Sequence, residues 1–260
     1  MLRSLALFLT TTLVPTLAFA GPAEDKGLEI AVEADRRDTG FSDTTADMVM
    51  ILRNQRGQES KRELEIRTLE VKGDGDKSMT VFHNPRDVRG TALLTYSHGV
   101  KPDDQWLYLP ALRRVKRIAS NNKSGPFMGS EFAYEDLSSQ EVDKYKYRYL
   151  KDDQVDGVAC FLIERYPVDK DSGYTKQQVW IDKEEYRVRK IDYYDRKAQL
   201  LKTFTPSGYQ EYLGKYWRAD KMMMINHQNG KSTELIWTNY KFKNGLKDGD
   251  FTRTRLTQVL

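Results

Sequence analysis

The chain has little of the side-chain chemistry that catalysis and metal binding usually need. Among 260 residues it has one cysteine, Cys160, and three histidines, His83, His98 and His227. A single cysteine excludes an intrachain disulfide, and the histidines are too scattered for a metal-binding motif. The sequence contains neither a nucleotide-binding P-loop nor the G-x-S-x-G turn of hydrolases. We therefore expect neither an enzyme nor a protein that carries a cofactor or metal.

An excess of one charge sign is also lacking. The chain has 42 Lys and Arg residues against 38 Asp and Glu residues, a net charge of +4. This balance is too even to indicate nucleic-acid binding. Cys160 lies within the apolar run 158–163, so a buried apolar role is favoured over a catalytic thiol.

Long hydrophobic runs are absent after the first twenty residues. Residues 1–20 combine the basic Arg3, an apolar run and the small residues of Ala18-Phe19-Ala20, which is typical of a secretory signal peptide cleaved after Ala20. The run is shorter than the roughly 20 apolar residues that cross a bilayer, so cleavage is favoured over an N-terminal anchor. We expect residues 21–260 to form a single periplasmic domain, monomeric, with only transient membrane contact.

What the sequence does contain is regular alternation. Residues 23–37 show helical spacing of apolar side chains, with Pro22 before them and Gly40 after them. From Phe41 onward the chain becomes a series of about a dozen strand-like runs separated by turn residues. This pattern predicts an antiparallel meander. Because so long a sheet must curl or close, we expect one concave apolar face.

Methionine and aromatic residues recur at alternate strand positions. Met48 and Met50 are two residues apart, as are Trp106 and Tyr108, so each pair shares a face of its strand. Methionine adapts to irregular apolar partners, and such a lining suits an acyl chain, although an ordinary packed core is the alternative for any one residue. The candidate acyl-binding residues are Met48, Met50, Leu64, Ile66, Trp106, Tyr108, Phe127 and Met128.

Residues 119–137 interrupt the strand pattern. Polar turn-forming residues lead into Phe127 and Met128, which lie between Gly125 and Gly129. Long loops often have functions, so the two glycines are candidate hinges of a lid that packs Phe127 and Met128 into the concavity. The alternative is an ordinary loop anchored by core residues.

A cluster of basic residues lies in one short strand-like run and comprises Arg113, Arg114, Lys116 and Arg117. One interpretation is a contact with anionic headgroups or with an acidic partner surface. The other, which we favour, is an edge strand on which basic residues prevent aggregation.

Several segments resemble one known family. Residues 82–91, Phe-His-Asn-Pro-Arg-Asp-Val-Arg-Gly-Thr, resemble the F-x-x-P-x-D-x-x-G-T opening of outer-membrane lipoprotein-sorting proteins, members of the LolA-like superfamily. Residues 103–110, 117–118, 127–132 and 134–137 continue the resemblance. It implies a mainly β fold, an unclosed antiparallel β-barrel of about eleven strands with an N-terminal helix and a helix or loop lid over an apolar cavity.

The resemblance also implies a function. Proteins of this kind are periplasmic carriers or chaperones that bind the acyl chains of a lipid or lipoprotein and shuttle it between membranes or to or from an exporter. Members of this subgroup often accompany exporters of the RND type. The alternative is therefore an accessory subunit of such an exporter with no cargo of its own. A third possibility, an enzyme acting on envelope lipids, would need a polar cluster inside the cavity.

Overall fold

The computed structural model describes residues 21–259, so the predicted signal peptide lies outside the described residues. These residues form thirteen strands and two α-helices. The helices are α1 (Pro22–Asp38) and α2 (Arg253–Leu256). The strands are β1 (Asp43–Arg53), β2 (Glu59–Leu69), β3 (Lys77–Asn84), β4 (Ala92–Tyr96), β5 (Asp104–Leu109), β6 (Arg114–Ile118), β7 (Tyr145–Val155), β8 (Val158–Pro167), β9 (Tyr174–Asp182), β10 (Val188–Asp195), β11 (Leu200–Tyr212), β12 (Tyr216–Asn226) and β13 (Ser232–Phe242).

All thirteen strands form one antiparallel sheet in the order β6-β5-β4-β3-β2-β1-β13-β12-β11-β10-β9-β8-β7. Two meanders, β1 to β6 and β7 to β13, are joined where the first strand pairs with the last. Strands β6 and β7 are the two edges and do not pair with each other. The predicted unclosed antiparallel barrel is therefore confirmed, with thirteen strands instead of about eleven.

Helix α1 agrees with its prediction to within one residue at each end. Glu24 and Asp25 lie in its first turn, and Arg36 and Arg37 lie in its last, which is the charge distribution that the helix dipole favours. The helix packs mainly against β7, and its residue Ile30 is buried. Within residues 21–259, no helix is both long and apolar enough to cross a membrane.

Strand β11 is longer than its sequence indicated. The sequence pattern predicts a strand over residues 199–204 with a turn at Gly208, yet the strand continues to Tyr212 and pairs with β12 over residues 202–212. Its pairing with β10 stops at Phe204. Pro206 therefore lies beyond the β10 pairing, where its missing N–H breaks no bond to that strand.

The sheet buries apolar side chains on both faces. The larger cluster lies on the concave face and includes residues from nearly every strand, among them Met50, Leu64 and Ile163. The convex face of β3 to β5 carries a second cluster, which the C-terminal residues Phe251 and Leu256 cover. Cys160 lies in a third, small cluster on β8 and β9, where burial raises the pKa of its thiol.

Candidate functional site

A cavity of about 1060 Å³ occupies the concave side of the sheet. Alternate residues of β1, Ala46, Met48 and Met50, form part of its wall, and Ile66 of β2 continues it. Leu235 of β13 is one of several further apolar residues that line it. The volume lies at the upper end of the roughly 300–1,000 Å³ of small-molecule pockets. The concave face is therefore only partly filled by the protein's own side chains.

The mouth of the cavity lies where α1 meets four turns of the sheet. Ala31, Ala34 and Asp35 of α1 contribute to the lining, together with the turns that follow β2, β4, β9 and β11. Charged residues of both signs surround this rim. Burial, together with the neighbouring carboxylates of Glu141 and Glu70, raises the pKa of Asp76 to about 7. The mouth is thus polar, whereas the wall below it is mostly apolar.

The floor of the cavity is the segment 122–137, part of the connection between the edge strands β6 and β7. Phe127 is fully buried, and its ring centre lies 5.7 Å from that of Phe82 and 5.5 Å from that of Tyr134. Phe132 packs edge-on against Phe204 of β11 at 6.2 Å. These aromatic contacts seat the floor against both halves of the sheet.

Hydrogen bonds fix the floor to widely separated strands. The side-chain amide of Gln105 on β5 donates to the carbonyl oxygen of Tyr134 at 2.9 Å, and the backbone N–H of Glu131 donates to Oγ1 of Thr233 on β13 at 2.9 Å. Asn226 on β12 donates to the Glu131 carboxylate at 2.7 Å. The segment is therefore an anchored floor, and the expectation of a hinged lid is not supported by its contacts.

A buried ion pair completes the floor. The ammonium group of Lys202 lies 2.7 Å from the carboxylate of Asp136, and the two side chains are 4% and 6% exposed. Lys202 also donates to the carbonyl oxygen of Glu131 at 2.8 Å. The neighbouring Glu135 accepts from the backbone N–H of Gly173 at 2.8 Å. Burial, with Asp136 beside it, raises the pKa of Glu135 to about 7.

A polar row crosses five strands immediately above this floor. Tyr147 on β7 pairs in register with Arg165 on β8, Arg165 with Gln177 on β9, Gln177 with Tyr193 on β10, and Tyr193 with Lys202 on β11. Residues directly opposite on neighbouring strands point to the same face. Among them, Tyr147, Arg165 and Tyr193 line the cavity. The sequence analysis missed this row, because the register that aligns residues far apart in the chain has no local signal.

The eight predicted acyl-binding residues divide between the two faces of the sheet. Met48, Met50, Ile66 and Phe127 line the cavity. Leu64 is buried in the same concave cluster, and Met128 packs against it. The structure thus brings six of the eight to the concave side, and their role in acyl binding stays a prediction.

Trp106 and Tyr108 require a correction, because both lie in the convex cluster. On β5 the concave positions are Gln105 and Leu107, whose side chains are buried. Both faces of this strand are apolar at residues 106–109, so alternation alone could not determine which face points inward. The expected placement of these two aromatic residues in the cavity was wrong.

The four basic residues lie on or next to β6, an exposed edge of the sheet. Arg113 precedes the strand in a left-handed backbone conformation, and Arg117 pairs with Asp104. Arg114 and Lys116 are exposed and form no ion pair with any residue in the described range 21–259. The structure thus places these residues at an edge of the sheet, while protection against aggregation and a contact with headgroups or a partner both stay predictions.

Comparison with known proteins gives a consistent assignment. A family model described as an uncharacterized protein matches residues 74–258. A domain from Vibrio parahaemolyticus, provisionally named an outer membrane lipoprotein-sorting protein domain, is 56% identical, with a TM-score of 0.89 over 90% of this chain and 99% of that one. A DUF1329 family protein from Desulfovibrio piger is 31% identical, with a TM-score of 0.86 over 90% of this chain and 99% of that one.

A more distant structure shares the fold. A LolA superfamily protein from Nitrosomonas europaea is 19% identical, with a TM-score of 0.72 over 88% of this chain and 98% of that one. No curated protein matches the sequence. On its identity and coverage with the Desulfovibrio piger protein, the chain belongs to the DUF1329 family, and its fold is that of the LolA superfamily.

Proposed function

We propose that this protein is a periplasmic carrier that shelters the acyl chains of a lipid or lipoprotein in the cavity of its open barrel. The observation that carries the proposal is the cavity itself, about 1060 Å³ with mostly apolar walls. Two relatives support it by name, one for outer membrane lipoprotein sorting and one for the LolA superfamily. The signal-like residues 1–20 support the periplasmic location. We assign the protein a binding function and no reaction.

The chemistry of the wall suits this cargo. Methionine side chains at Met48, Met50 and Met222 are flexible and polarizable, so they adapt to chains of different length or branching. The hydrophobic effect is non-directional, and each buried methylene contributes ~0.8 kcal/mol. A tail of about ten methylenes would thus gain on the order of 8 kcal/mol before the costs of association are subtracted.

Native mass spectrometry of the protein purified from its own periplasm tests the proposal directly. We expect mass additions that correspond to lipids or acylated peptides and that disappear after organic extraction. The extracted protein should then take up fluorescent acyl probes. A clean apo mass together with no probe uptake would contradict the carrier function.

A substitution that fills the cavity gives a second test. Ala34 lines the cavity from α1, so Ala34→Trp places an indole ring in the space that a tail would occupy. We expect acyl-probe affinity to fall at least tenfold, because the indole ring would displace roughly two or more methylenes of the tail from the cavity. Val32→Trp is the matched control, because Val32 lies on the same helix, is 46% exposed and does not line the cavity. Equal loss in both variants would contradict the placement of the cargo.

Delivery between membranes, or to or from an RND-type exporter, forms part of the proposal. The basic edge formed by Arg113, Arg114, Lys116 and Arg117 supports a docking contact, because exposed cations steer association with an acidic surface. The same observation favours the second candidate, an accessory exporter subunit without cargo. Reversing these four charges should abolish partner capture in both cases, but only the carrier retains acyl-probe binding. Partner capture that survives the reversal would contradict this contact.

A further inference from the structure

Three members of the polar row line the cavity, and two of them have hydrogen-bonding groups that residues 21–259 do not use. Other members are satisfied internally: the Tyr147 hydroxyl donates to the carbonyl oxygen of Val142 at 2.9 Å, and Lys202 is bound to Asp136. Arg165 and Tyr193, on strands to either side of β9, remain. Both side chains line the cavity, so their free donor groups are open to a ligand that enters it.

Arg165 is held in place without being neutralised. Its Nε donates to Oε1 of Gln177 at 2.6 Å, and the guanidinium carbon lies 4.5 Å from the ring centre of Tyr145. These contacts orient the guanidinium group but leave both terminal amino groups without an acceptor among residues 21–259. No carboxylate of that range forms an ion pair with it. Arg165 therefore presents an uncompensated positive charge to the cavity that it lines.

Tyr193 presents a hydroxyl to the same space. The residue is only 6% exposed, and its ring lies 4.8 Å from that of Tyr174. Within the described part of the chain its hydroxyl has no hydrogen-bond acceptor, although the side chain lines the cavity. Burial, followed by the nearby Asp136 carboxylate, raises the pKa of Tyr193 well above its ordinary value. The hydroxyl is therefore protonated at neutral pH and can donate.

Arg165 and Tyr193 lie on the two strands that flank β9, and both line the same cavity. Arg165 and Tyr193 are each in register with Gln177, so their backbones are separated by two strand spacings, roughly 10 Å. Both side chains are long enough to converge over Gln177. A guanidinium group can only donate, and charge-assisted bonds from arginine to carboxylate or phosphate are stronger than neutral ones. The shared ligand group must therefore supply acceptor oxygens and preferably a negative charge.

We propose that Arg165 and Tyr193 bind the carboxylate or phosphate headgroup of an amphiphile whose tail fills the rest of the cavity. This inference rests on the proposed carrier function and specifies its cargo. One row closer to the mouth, the inward-facing residues of β8, β9 and β10 are apolar and also line the cavity. They are Ile163, Val179 and Ile191. The headgroup thus lies at the floor end, and the tail extends along the apolar rows toward the mouth.

Three probes with one tail and different headgroups test the headgroup site: dodecanoate, dodecyl phosphate and dodecanol. Binding is measured by calorimetry, below micelle-forming concentrations, on the extracted full-length mature protein. We expect the two anions to bind at least about tenfold more tightly than dodecanol, as expected for charge-assisted hydrogen bonds in a buried site. Arg165→Gln should reduce this preference to about twofold or less without weakening dodecanol binding, and Tyr193→Phe should reduce it in part.

Tyr209→Phe is the matched control, because Tyr209 also lines the cavity but its hydroxyl donates to the carbonyl oxygen of Val188. It should keep the full preference for anions. Equal binding of all three probes to the unmodified protein, or an equal loss of all three in Arg165→Gln, would overturn the headgroup site while leaving the carrier function intact. Failure of all three probes to bind would overturn both. Inorganic phosphate that binds as tightly as dodecyl phosphate would assign the site to a free anion and overturn the amphiphile.

Discussion

Removing the ammonium group of Lys202 tests whether the buried ion pair holds the cavity floor. Lys202→Met keeps the length of the side chain but deletes its charge and its hydrogen bonds to Asp136 and to the carbonyl oxygen of Glu131. The Asp136 carboxylate then stays buried, with Tyr174 and the backbone N–H of Ala133 as its remaining donors. Breaking one side of a buried pair costs about 3–5 kcal/mol, a large part of the roughly 5–15 kcal/mol that stabilises a typical domain.

Urea unfolding followed by circular dichroism measures this loss. With a slope of about 3 kcal/mol per molar urea, the midpoint should fall by about 1 M or more. The double variant Lys202→Met/Asp136→Asn should be more stable than the sum of the single effects indicates, by about 1–3 kcal/mol, because it leaves no unpaired charge. Lys151→Met is the control, since its pair with Asp153 is exposed and should cost at most about 1 kcal/mol. A loss below about 1 kcal/mol in Lys202→Met would refute the anchoring role.

Two further predictions follow from the floor and from the convex face. Burial raises the folded-state pKa of Glu135 from 4.5 to about 7, so the folded state favours the protonated carboxyl. The stability that this protonation contributes is complete below about pH 4.5 and is lost as pH rises through about 7. The loss in unfolding free energy is on the order of 3 kcal/mol. Urea unfolding at pH 5 and pH 8 should show this fall in the unmodified protein and a smaller one in Glu135→Gln; equal falls would contradict it. Phe251→Ala should cost about 3–5 kcal/mol of unfolding free energy, because Phe251 is fully buried in the convex cluster, yet acyl-probe affinity should not change; a parallel loss of binding would contradict the separation of the two faces.

Most of the secondary structure could be predicted from the sequence, because antiparallel strands have a local signal. Each of the thirteen strands overlaps a run of alternating or apolar residues, and the sequence delimits α1 by Pro22 and Gly40. The strand that was underestimated, β11, contains Pro206 at a position that pairs on one side only. Whether a proline interrupts pairing depends on which neighbour its missing N–H would face, and that is decided by tertiary structure.

The site was less accessible to prediction, for two physical reasons. Where both faces of a strand are apolar, as at Trp106 and Leu107, alternation shows that neighbouring side chains point to opposite faces but not which face is concave. The row that contains Arg165 and Tyr193 is produced by the register of four strand pairs, and in the sequence each residue is one polar position among many. The wall, by contrast, was partly found, because Met48 and Met50 are consecutive inward positions on a strand whose outward positions are more polar.

The close packing of α1 on β7 leaves no room for a side chain at Gly27. The sign of the change in unfolding free energy in Gly27→Ala tests whether this packing sets the position of the helix. A Cβ at Gly27 would lie 2.8 Å from the backbone nitrogens of Arg148 and Tyr149 on β7, and backbone atoms in a sheet cannot easily move. If helix propensity dominated, Gly27→Ala would stabilise the protein by about 1 kcal/mol. We expect instead a destabilisation of about 1–3 kcal/mol in urea unfolding, because the helix must move away from β7 and expose Ile30. Since Ala31 and Ala34 of this helix line the cavity, acyl-probe affinity should change in the same variant. A stabilised variant with unchanged affinity would show that close contact with β7 does not set the position of α1.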